Sequence, residues 1–296
     1  MKKTLFSVLM VLMCMVALPF QAAADDYPRG DADHDTRVTV ADVSTLIDYL
    51  LNGIWDDSLE TDANTFTVNG VTFNMVTVEG GTFMMGAMAG DSDAYDDEKP
   101  AHSVTLSTFR IAETEVTQAL WQAVMGTNPS PNTDDLNCPV ENVSWVDAHS
   151  FIAKLNQLTG KSFRLPTEAE WEYTARGGKD SQGYLYSGSN NINEVAWYWD
   201  NCSVNGTRRT HPVGTKAPNE LGLYDMCGNV WELCQDRYAS DYYSTSPWFN
   251  PTGPSTGNNI SDRGGSWYNN AGKCRVTYRD HDSFTGSAHA GLRLAM

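Results

Sequence analysis

From Gly177 onward the chain has almost no helical periodicity. This stretch is rich in Gly, Asn, Ser, Trp and Tyr. An amphipathic helix needs apolar residues spaced three or four apart, whereas glycine and asparagine favour turns. The second part of the chain is therefore predicted to be mostly irregular, with short strands.

Helix start signals are confined to the first part of the chain. A capping Ser or Thr precedes each of three segments that have helical apolar spacing. The segments are QALWQAVM after Thr117, ended by Gly126; WVDAHSFIAKLNQLTG after Ser144, with Asp147 three residues on; and EAEWEYTARGG after Thr167, with Glu170 three residues on. Two to three helices are therefore expected.

Period-two runs of Val, Thr, Phe and Met lie upstream of these helices. They occur in FTVNGVTFNMVTVEGGTFMMG, residues 66–86, and are broken by Asn-Gly and Gly-Gly pairs. Such alternation around tight-turn residues predicts β-hairpins.

The N-terminus has the pattern of a secretory signal peptide. Lys2 and Lys3 precede an apolar run from Leu5 to Phe20, and small residues stand at Ala22 and Ala24. The pattern predicts a signal peptide over 1–24, cleaved after about Ala24, and a secreted or cell-surface protein. The alternative is a membrane anchor, but the run is short for a membrane span and no second run exists.

The net charge excludes some classes of partner, and the number of cysteines limits which disulfides can form. The formal net charge is −17, so nucleic acid phosphates and anionic lipids would be repelled. Export permits disulfides, but removal of Cys14 with the signal leaves an odd number of cysteines, so at least one thiol is free or pairs outside the chain. The remaining cysteines are Cys138, Cys202, Cys227, Cys234 and Cys274.

An acidic loop with calcium-ligand spacing follows the signal. Alternating oxygen donors, including one backbone carbonyl, lead into an apolar helical pattern, as calcium requires. These donors are Asp31, Asp33, Asp35, the carbonyl of Arg37, Thr39 and Asp42. The alternative is an acidic solvated segment. Residues 25–53 resemble one repeat of a dockerin, which implies attachment to a cohesin-like partner, although a dockerin normally has two repeats. Residues 54–72 are interpreted as a linker and first strand.

Four motifs then appear in order. They are RLPTEAEWEYTARGG (164–178), NELGLYDMCGNVWELCQD (219–236), RGGSW (263–267) and GLRLA (291–295). Together they resemble the formylglycine-generating enzyme, or sulfatase-modifying factor, family over 73–296. The resemblance implies an α+β fold, the family's variant of the C-type lectin fold, which is loop-rich with small antiparallel sheets.

The resemblance also implies a structural calcium ion. In YDMCGNVWE, the family's metal-binding turn falls on Asp225, Gly228, Val230 and Glu232. Two carboxylates and two backbone carbonyls suit a hard cation. The alternative is a tight turn that buries Trp231 and uses Glu232 as a cap.

The family's oxidase activity is expected to be missing. The enzyme oxidises a cysteine of a sulfatase peptide with oxygen and copper(I) held by two thiolates, five residues apart. The second thiolate position falls on Cys274 and the first on Asn269. An amide is not a soft ligand, so the chain is predicted to lack this activity. The competing hypothesis is an oxidase whose atypical copper or thiol site keeps Cys274 as its catalytic residue and is completed by a remote ligand.

A structural role for Cys274 is the other interpretation. The segment CRVTYR, residues 274–279, is expected to be a core strand. Two states of Cys274 remain open, a disulfide with Cys234 of the WELCQD strand and a buried free thiol.

The segment between Trp267 and Gly291 has the composition of a binding surface. Tyr gives large contact area at low entropic cost, and Ser, Gly and Asn adapt their hydrogen bonds. The expected ligand-binding residues are Tyr268, Asn269, Asn270, Tyr278, Asp280, His281, Asp282, Ser283 and Phe284. The segment also resembles variable proteins of diversity-generating retroelements, because every residue over 280–290 is of a type that a randomised AAY codon can encode.

The favoured interpretation is a secreted, calcium-stabilised protein that binds an unknown protein or glycan at this C-terminal surface. The alternatives are the atypical oxidase and a constant structural component of a surface assembly.

Overall fold

A computed structural model describes residues 64–88 and 92–296, which belong to a compact unit beginning at Asn64. The signal peptide, the dockerin-like segment and linker residues 54–63 lie outside the described residues. The same holds for the predicted calcium ligands Asp31, Asp33, Asp35, Arg37, Thr39 and Asp42.

The three predicted helices are confirmed with their caps. They are α1 (Gln118–Met125), α2 (Trp145–Thr159) and α3 (Glu168–Ala175). The N-cap side chains of Thr117, Ser144 and Thr167 each accept a backbone N–H three residues on. One further turn, α4 (Ile192–Val195), was not predicted, because four residues are too short to show helical periodicity.

The strands are short, as the sequence predicts. They are β1 (Thr65–Val68), β2 (Val71–Val78), β3 (Gly81–Met85), β4 (His102–Leu106), β5 (Phe109–Ala112), β6 (Ser203–Val204), β7 (Thr207–Arg208), β8 (Trp231–Arg237), β9 (Asn259–Arg263), β10 (Asp280–Ser283) and β11 (Ala290–Gly291). The Asn-Gly pair does form the β1–β2 hairpin, with φ of 49° at Asn69 and 85° at Gly70.

These strands form four small sheets. The orders are β1-β2-β5, β3-β4, β6-β7 and β10-β9-β8-β11. Strand β11 runs parallel to β8, and the other pairings are antiparallel. The four-stranded sheet carries the expected ligand-binding segment, because β10 is its edge strand.

The prediction of a core strand over residues 274–279 is wrong, because this segment does not have strand conformation. Ala271–Cys274 form a 3-10 turn, and the residues from Cys274 to Arg279 are buried without belonging to a strand. Their backbone is paired outside any sheet, since Val276 donates to the carbonyl of Leu185 at 3.1 Å and accepts from Arg263 Nη2 at 2.7 Å. The apolar pattern thus correctly predicted that the segment is buried, but wrongly predicted that its backbone pairs with a neighbouring strand.

None of the helices within residues 64–88 and 92–296 is long and apolar enough to cross a bilayer.

Candidate functional site

A glycine turn places the first predicted contact residues at the surface. Gly265 has φ of 73°, and a Cβ there would lie 2.8 Å from Cys274 Sγ, so only glycine fits. The Ser266 hydroxyl then donates to Asn269 Oδ1 at 2.6 Å, and the amide of Asn269 donates to the carbonyl of Ser266 at 2.9 Å. This closed turn holds Tyr268 with 52% of its surface exposed.

Tyr268 belongs to a cluster of rings that we call the aromatic platform. Its members are Trp199, Trp267, Tyr268 and His289. The Tyr268 ring is stacked on His289 with centroids 4.6 Å apart and meets Trp199 edge-on at 5.3 Å. The guanidinium of Arg208 lies 3.8 Å from the Trp199 ring, a cation–π contact.

The aromatic platform is fixed from below. The indole N–H of Trp267 donates to Glu141 Oε2 at 3.1 Å, and the amide of Trp199 donates to the carbonyl of Asn269 at 3.0 Å. Glu141 is wholly buried, and burial raises the pKa of its carboxyl. Trp199 and His289 were missed from the sequence because neither lies near Tyr268 at a regular spacing.

The second predicted segment, residues 280–284, lies on and after β10. His281 is exposed and packs on Tyr238 with ring centroids 4.4 Å apart. Phe284 is half-buried and meets Trp145 edge-on at 5.4 Å. Asp280 forms an ion pair with Lys273, with Nζ and Oδ2 2.9 Å apart. This ion pair connects β10 to the segment that follows the aromatic platform.

The predicted contact residues therefore differ in accessibility. Tyr268, Asn270, His281 and Ser283 are exposed, whereas Asn269, Asp280, Asp282 and Phe284 are half-buried.

The expectation that Tyr278 is a contact residue is wrong. It is only 8% exposed and packs in the apolar core, with its ring 6.1 Å from that of Trp231. Burial is the main cause that raises the pKa of its phenol. A tyrosine flanked by Thr and Arg has no sequence signal that separates a core ring from a contact ring.

Buried ion pairs support this surface. Arg263 is inaccessible to solvent and donates from Nη1 to Glu168 at 3.0 Å and from Nη2 to Glu172 at 2.7 Å. Arg279 donates from Nε to Glu168 at 2.7 Å. Burial alone would raise the pKa of Glu168, but Arg279 and then Arg263 lower it to about 2. The motifs RGGSW and RLPTEAEWEY are thus partners in one network.

Cys274 has the environment of a structural thiol. All five cysteines within the described residues are buried and free, so the disulfide with Cys234 is not formed. Burial, and then the neighbouring Cys227 thiol, raise the pKa of Cys274 well above its usual value, while burial raises that of Cys227 to about 12. A soft metal binds the thiolate form, which the raised pKa values of these two thiols disfavour. Asn269, which the resemblance aligns with the first thiolate, is hydrogen-bonded within its own turn.

The predicted calcium turn contains excess buried negative charge. Glu115, Asp225 and Glu232 are buried with a single guanidinium, that of Arg293, which pairs with Glu232 at 2.6 Å. Burial raises the pKa of Asp225 to about 6, and burial followed by the charges of Asp225 and Glu232 raises the pKa of Glu115. Asp225 Oδ1 is buried without a hydrogen-bond partner. An added cation would balance this cluster.

The fit to calcium is incomplete at one ligand. Both oxygens of Glu232 already accept hydrogen bonds, from Arg293 and from the indole N–H of Trp171 at 2.7 Å. Among the residues that the structure describes, no three His, Cys, Asp or Glu side chains converge on a metal position. Asp225 Oδ1 is the one carboxylate oxygen of Asp225 and Glu232 without a hydrogen-bond partner, so calcium held by Asp225, Gly228, Val230 and Glu232 stays a prediction.

The described part of the chain is thus an α+β scaffold whose long loops are held by buried ion pairs, the formylglycine-generating-enzyme-like variant of the C-type lectin fold. The family described as "Sulfatase-modifying factor enzyme 1-like domain" matches residues 60–296. The chain belongs to this family, as its four motifs predict.

Three similar proteins show how the family varies. The chain is 34% identical over 255 residues to "Chaperone protein LppX" of Paenibacillus barcinonensis, across 70% of this chain and 83% of that protein. It is 31% identical over 286 residues to "Formylglycine-generating enzyme" of Streptomyces coelicolor, across 76% and 89%. The solved structure "Treponema denticola variable protein 1" superposes with a TM-score of 0.69 at 34% identity, across 78% of this chain and 97% of that one.

Proposed function

We propose that this chain is a secreted ligand-binding protein built on the formylglycine-generating-enzyme scaffold and lacks oxidase activity. One observation carries the proposal. At the position where the resemblance implies a two-thiolate copper site, the chain has Asn269, whose amide is not a soft ligand, and a fully buried Cys274, beside the exposed Tyr268.

The aromatic platform and the β10 edge are the proposed ligand-binding surface. Trp199 and Tyr268 offer ring faces on a backbone held by hydrogen bonds, so little side-chain entropy is lost on binding. Asn270, His281 and Ser283 add exposed polar groups. A protein or glycan ligand suits this mixture.

Two relatives support a role other than oxidation. One is named a chaperone and the other a variable protein. The likeness to the variable protein agrees with the composition of residues 280–290, and we propose that this segment is diversified. Sequencing the DNA beside the gene tests this idea. A near-copy of the codons for 263–296 that differs only at adenines supports it, and absence of such a copy contradicts it.

Absence of oxidase activity is tested directly. The purified protein, loaded with copper(I), is incubated with a sulfatase-type cysteine peptide, and aldehyde formation is followed by mass spectrometry. We expect no conversion, and an Asn269→Cys variant reports whether one missing thiolate explains the loss. Detectable conversion by the unaltered protein would overturn the proposal.

Ligand binding is tested with arrays of defined glycans and of surface proteins. Tyr268→Ala should weaken binding to any captured probe about tenfold or more, because an aromatic residue that becomes buried on binding contributes that much binding energy. The melting temperature should stay the same, because Tyr268 is exposed. Equal loss of stability and binding would contradict the assignment, as would unchanged binding.

Structural calcium and the dockerin-like attachment complete the proposal. Calcium should raise the melting temperature by mass action, and Asp225→Asn should remove most of that increment. A variant with Asp31 and Asp33 replaced by Asn is the control for the N-terminal loop. If calcium leaves the melting temperature of the unaltered protein unchanged, neither site is occupied.

A further inference from the structure

Three aspartates lie on one face of strands β9 and β10, and we call them the acidic patch: Asp262, Asp280 and Asp282. Asp280 is the direct partner of Asp262 in the antiparallel ladder, and Asp282 is two residues further along β10. Directly paired residues, and residues two apart in one strand, have their side chains on the same face of a sheet. The three carboxyls are therefore neighbours on the edge strand of the four-stranded sheet.

The acidic patch is short of hydrogen-bond donors. Asp282 Oδ1 accepts the amide of Ser283 at 2.9 Å, but Asp282 Oδ2 is buried without a partner. Asp262 Oδ1 is also buried without a partner, and the Asp262 residue is only 4% exposed. A buried acceptor without a donor costs free energy, so a donor that enters the patch is stabilising.

The cations that adjoin the acidic patch do not supply these donors. Lys273 pairs with the patch through Asp280 Oδ2, at 2.9 Å from Nζ. Arg263 and Arg279 are the sequence neighbours of two of the aspartates, but both bind Glu168. The patch therefore holds more carboxyl groups than cations.

The carboxyls of the acidic patch also act on one another. Burial first, and then the charges of Asp280 and Asp282, raise the pKa of Asp262 well above its usual value, and the opposite effect of Lys273 is smaller. A further cation beside Asp262 would favour its ionised form. Asp280 and Asp282 are half-buried, so a ligand can approach the patch from solvent.

The chemistry of the acidic patch favours an arginine side chain over the other cations and over a glycan. Within residues 64–88 and 92–296, no three Asp, Glu, His or Cys side chains converge on a metal position. A guanidinium has five N–H donors spread over a planar group, so it can reach acceptors that do not share one centre. A glycan hydroxyl can donate as well, but it brings no positive charge to the carboxyls.

We propose that the ligand of the C-terminal surface is a protein that binds the acidic patch through an arginine side chain. This inference rests on the proposed ligand-binding function and narrows the ligand from a protein or glycan to a protein with a basic contact residue. The guanidinium donates to Asp262 and Asp282, the two carboxyls with an unpaired oxygen, beside the ion pair of Lys273 with Asp280. Asp282 is half-buried, and its side chain turns to admit the guanidinium.

The test exposes the full chain to a display library of random peptides. The enriched peptides should share an arginine. A synthetic copy of the most enriched peptide should bind about tenfold or more tightly than its citrulline analogue, which has nearly the same shape but no charge. Isothermal titration calorimetry measures both affinities.

Variants of the acidic patch locate the binding. Asp262→Asn and Asp282→Asn should each weaken binding of the arginine peptide about tenfold or more and change binding of the citrulline analogue little. The matched control is Asp180→Asn, which removes one negative charge from an exposed position in the turn after α3 and should leave the affinity unchanged. The melting temperature of Asp262→Asn should not fall, because the substitution removes a like charge from the patch.

The outcomes separate this inference from the proposed function. Capture of glycans alone, or of peptides without a basic residue, would overturn the inference and leave the ligand-binding function standing, whereas failure to bind any peptide, glycan or surface protein would overturn both. Equal affinities of the arginine and citrulline peptides, or an equal loss of affinity in Asp180→Asn, would contradict the inference. So would a rise in melting temperature caused by calcium alone that Asp262→Asn abolishes, because the patch would then hold a metal ion.

Discussion

The helical part of the chain, up to α3, and the loop-rich part after it are stabilised differently. In the first part, local caps start the helices and apolar side chains such as Leu155 and Phe151 pack them together. In the second part, four buried arginines hold segments with few backbone ladders. Their pairs are Arg263 with Glu168 and Glu172, Arg275 with Glu98, Arg279 with Glu168, and Arg293 with Glu232.

Because buried ion pairs stabilise the loop-rich part, its surface residues can be replaced without loss of the fold. Glu98, Glu168 and Glu172 belong to the first part, so most of these ion pairs connect the loops of the second part to the first part. The exposed residues Tyr268, Asn270, His281 and Ser283 take no part in these ion pairs. Their replacement should therefore leave the fold intact.

Breaking the ion network should have the largest effect. Arg263→Ala leaves Glu168 and Glu172 short of a partner in the interior, and we expect a loss of about 3–5 kcal/mol in the free energy of unfolding. Arg164→Ala is the control, because its pair with Glu170 is partly exposed and should contribute less than about 1 kcal/mol. Urea denaturation measures both. Similar losses of unfolding free energy in the two variants would contradict the conclusion that buried ion pairs stabilise the loop-rich part.

Apolar packing in the helical part should come second. Leu155→Ala creates a cavity beside Phe151 and should cost about 3 kcal/mol. Leu158→Ala, on the exposed side of α2, should cost little. If the two variants unfold at the same urea concentration, the core of the first part has been assigned wrongly.

Acid should weaken the loop-rich part through Glu168. Its folded pKa of about 2 lies below the ordinary value of 4.5, so its stabilising contribution is complete above pH 4.5 and is lost as the pH falls towards 2. A Glu168→Gln variant should show a shallower decline over this window in denaturation midpoints. Parallel pH profiles of the two proteins would contradict the assignment.

Removing a helix cap should have the smallest effect. Ser144→Ala loses the hydroxyl that accepts the amide of Asp147 and should cost about 1 kcal/mol. Ser150→Ala, an exposed position in the same helix, is the control and should be nearly neutral. A larger loss at Ser150 than at Ser144 would mean that the cap does not stabilise α2.

Local signals account for what could be predicted. The caps at Thr117, Ser144 and Thr167 and the turn at Asn69-Gly70 act within a few residues, so the sequence contains them completely. The four motifs identified the family for the same reason. The site was predicted only in part, because the partners of Tyr268 come from distant segments, Trp199 and His289.

The sequence by itself determined the three capped helices, the β1–β2 hairpin and the burial of residues 274–279. Tertiary structure decided that Tyr278 is core while Tyr268 is surface, that Cys274 stays a free thiol, and that Glu232 pairs with Arg293. The physical reason is the distance along the chain between the residues that interact. A cap or turn is satisfied by neighbours in the chain, whereas burial and charge pairing depend on which distant segments fill the space around a side chain.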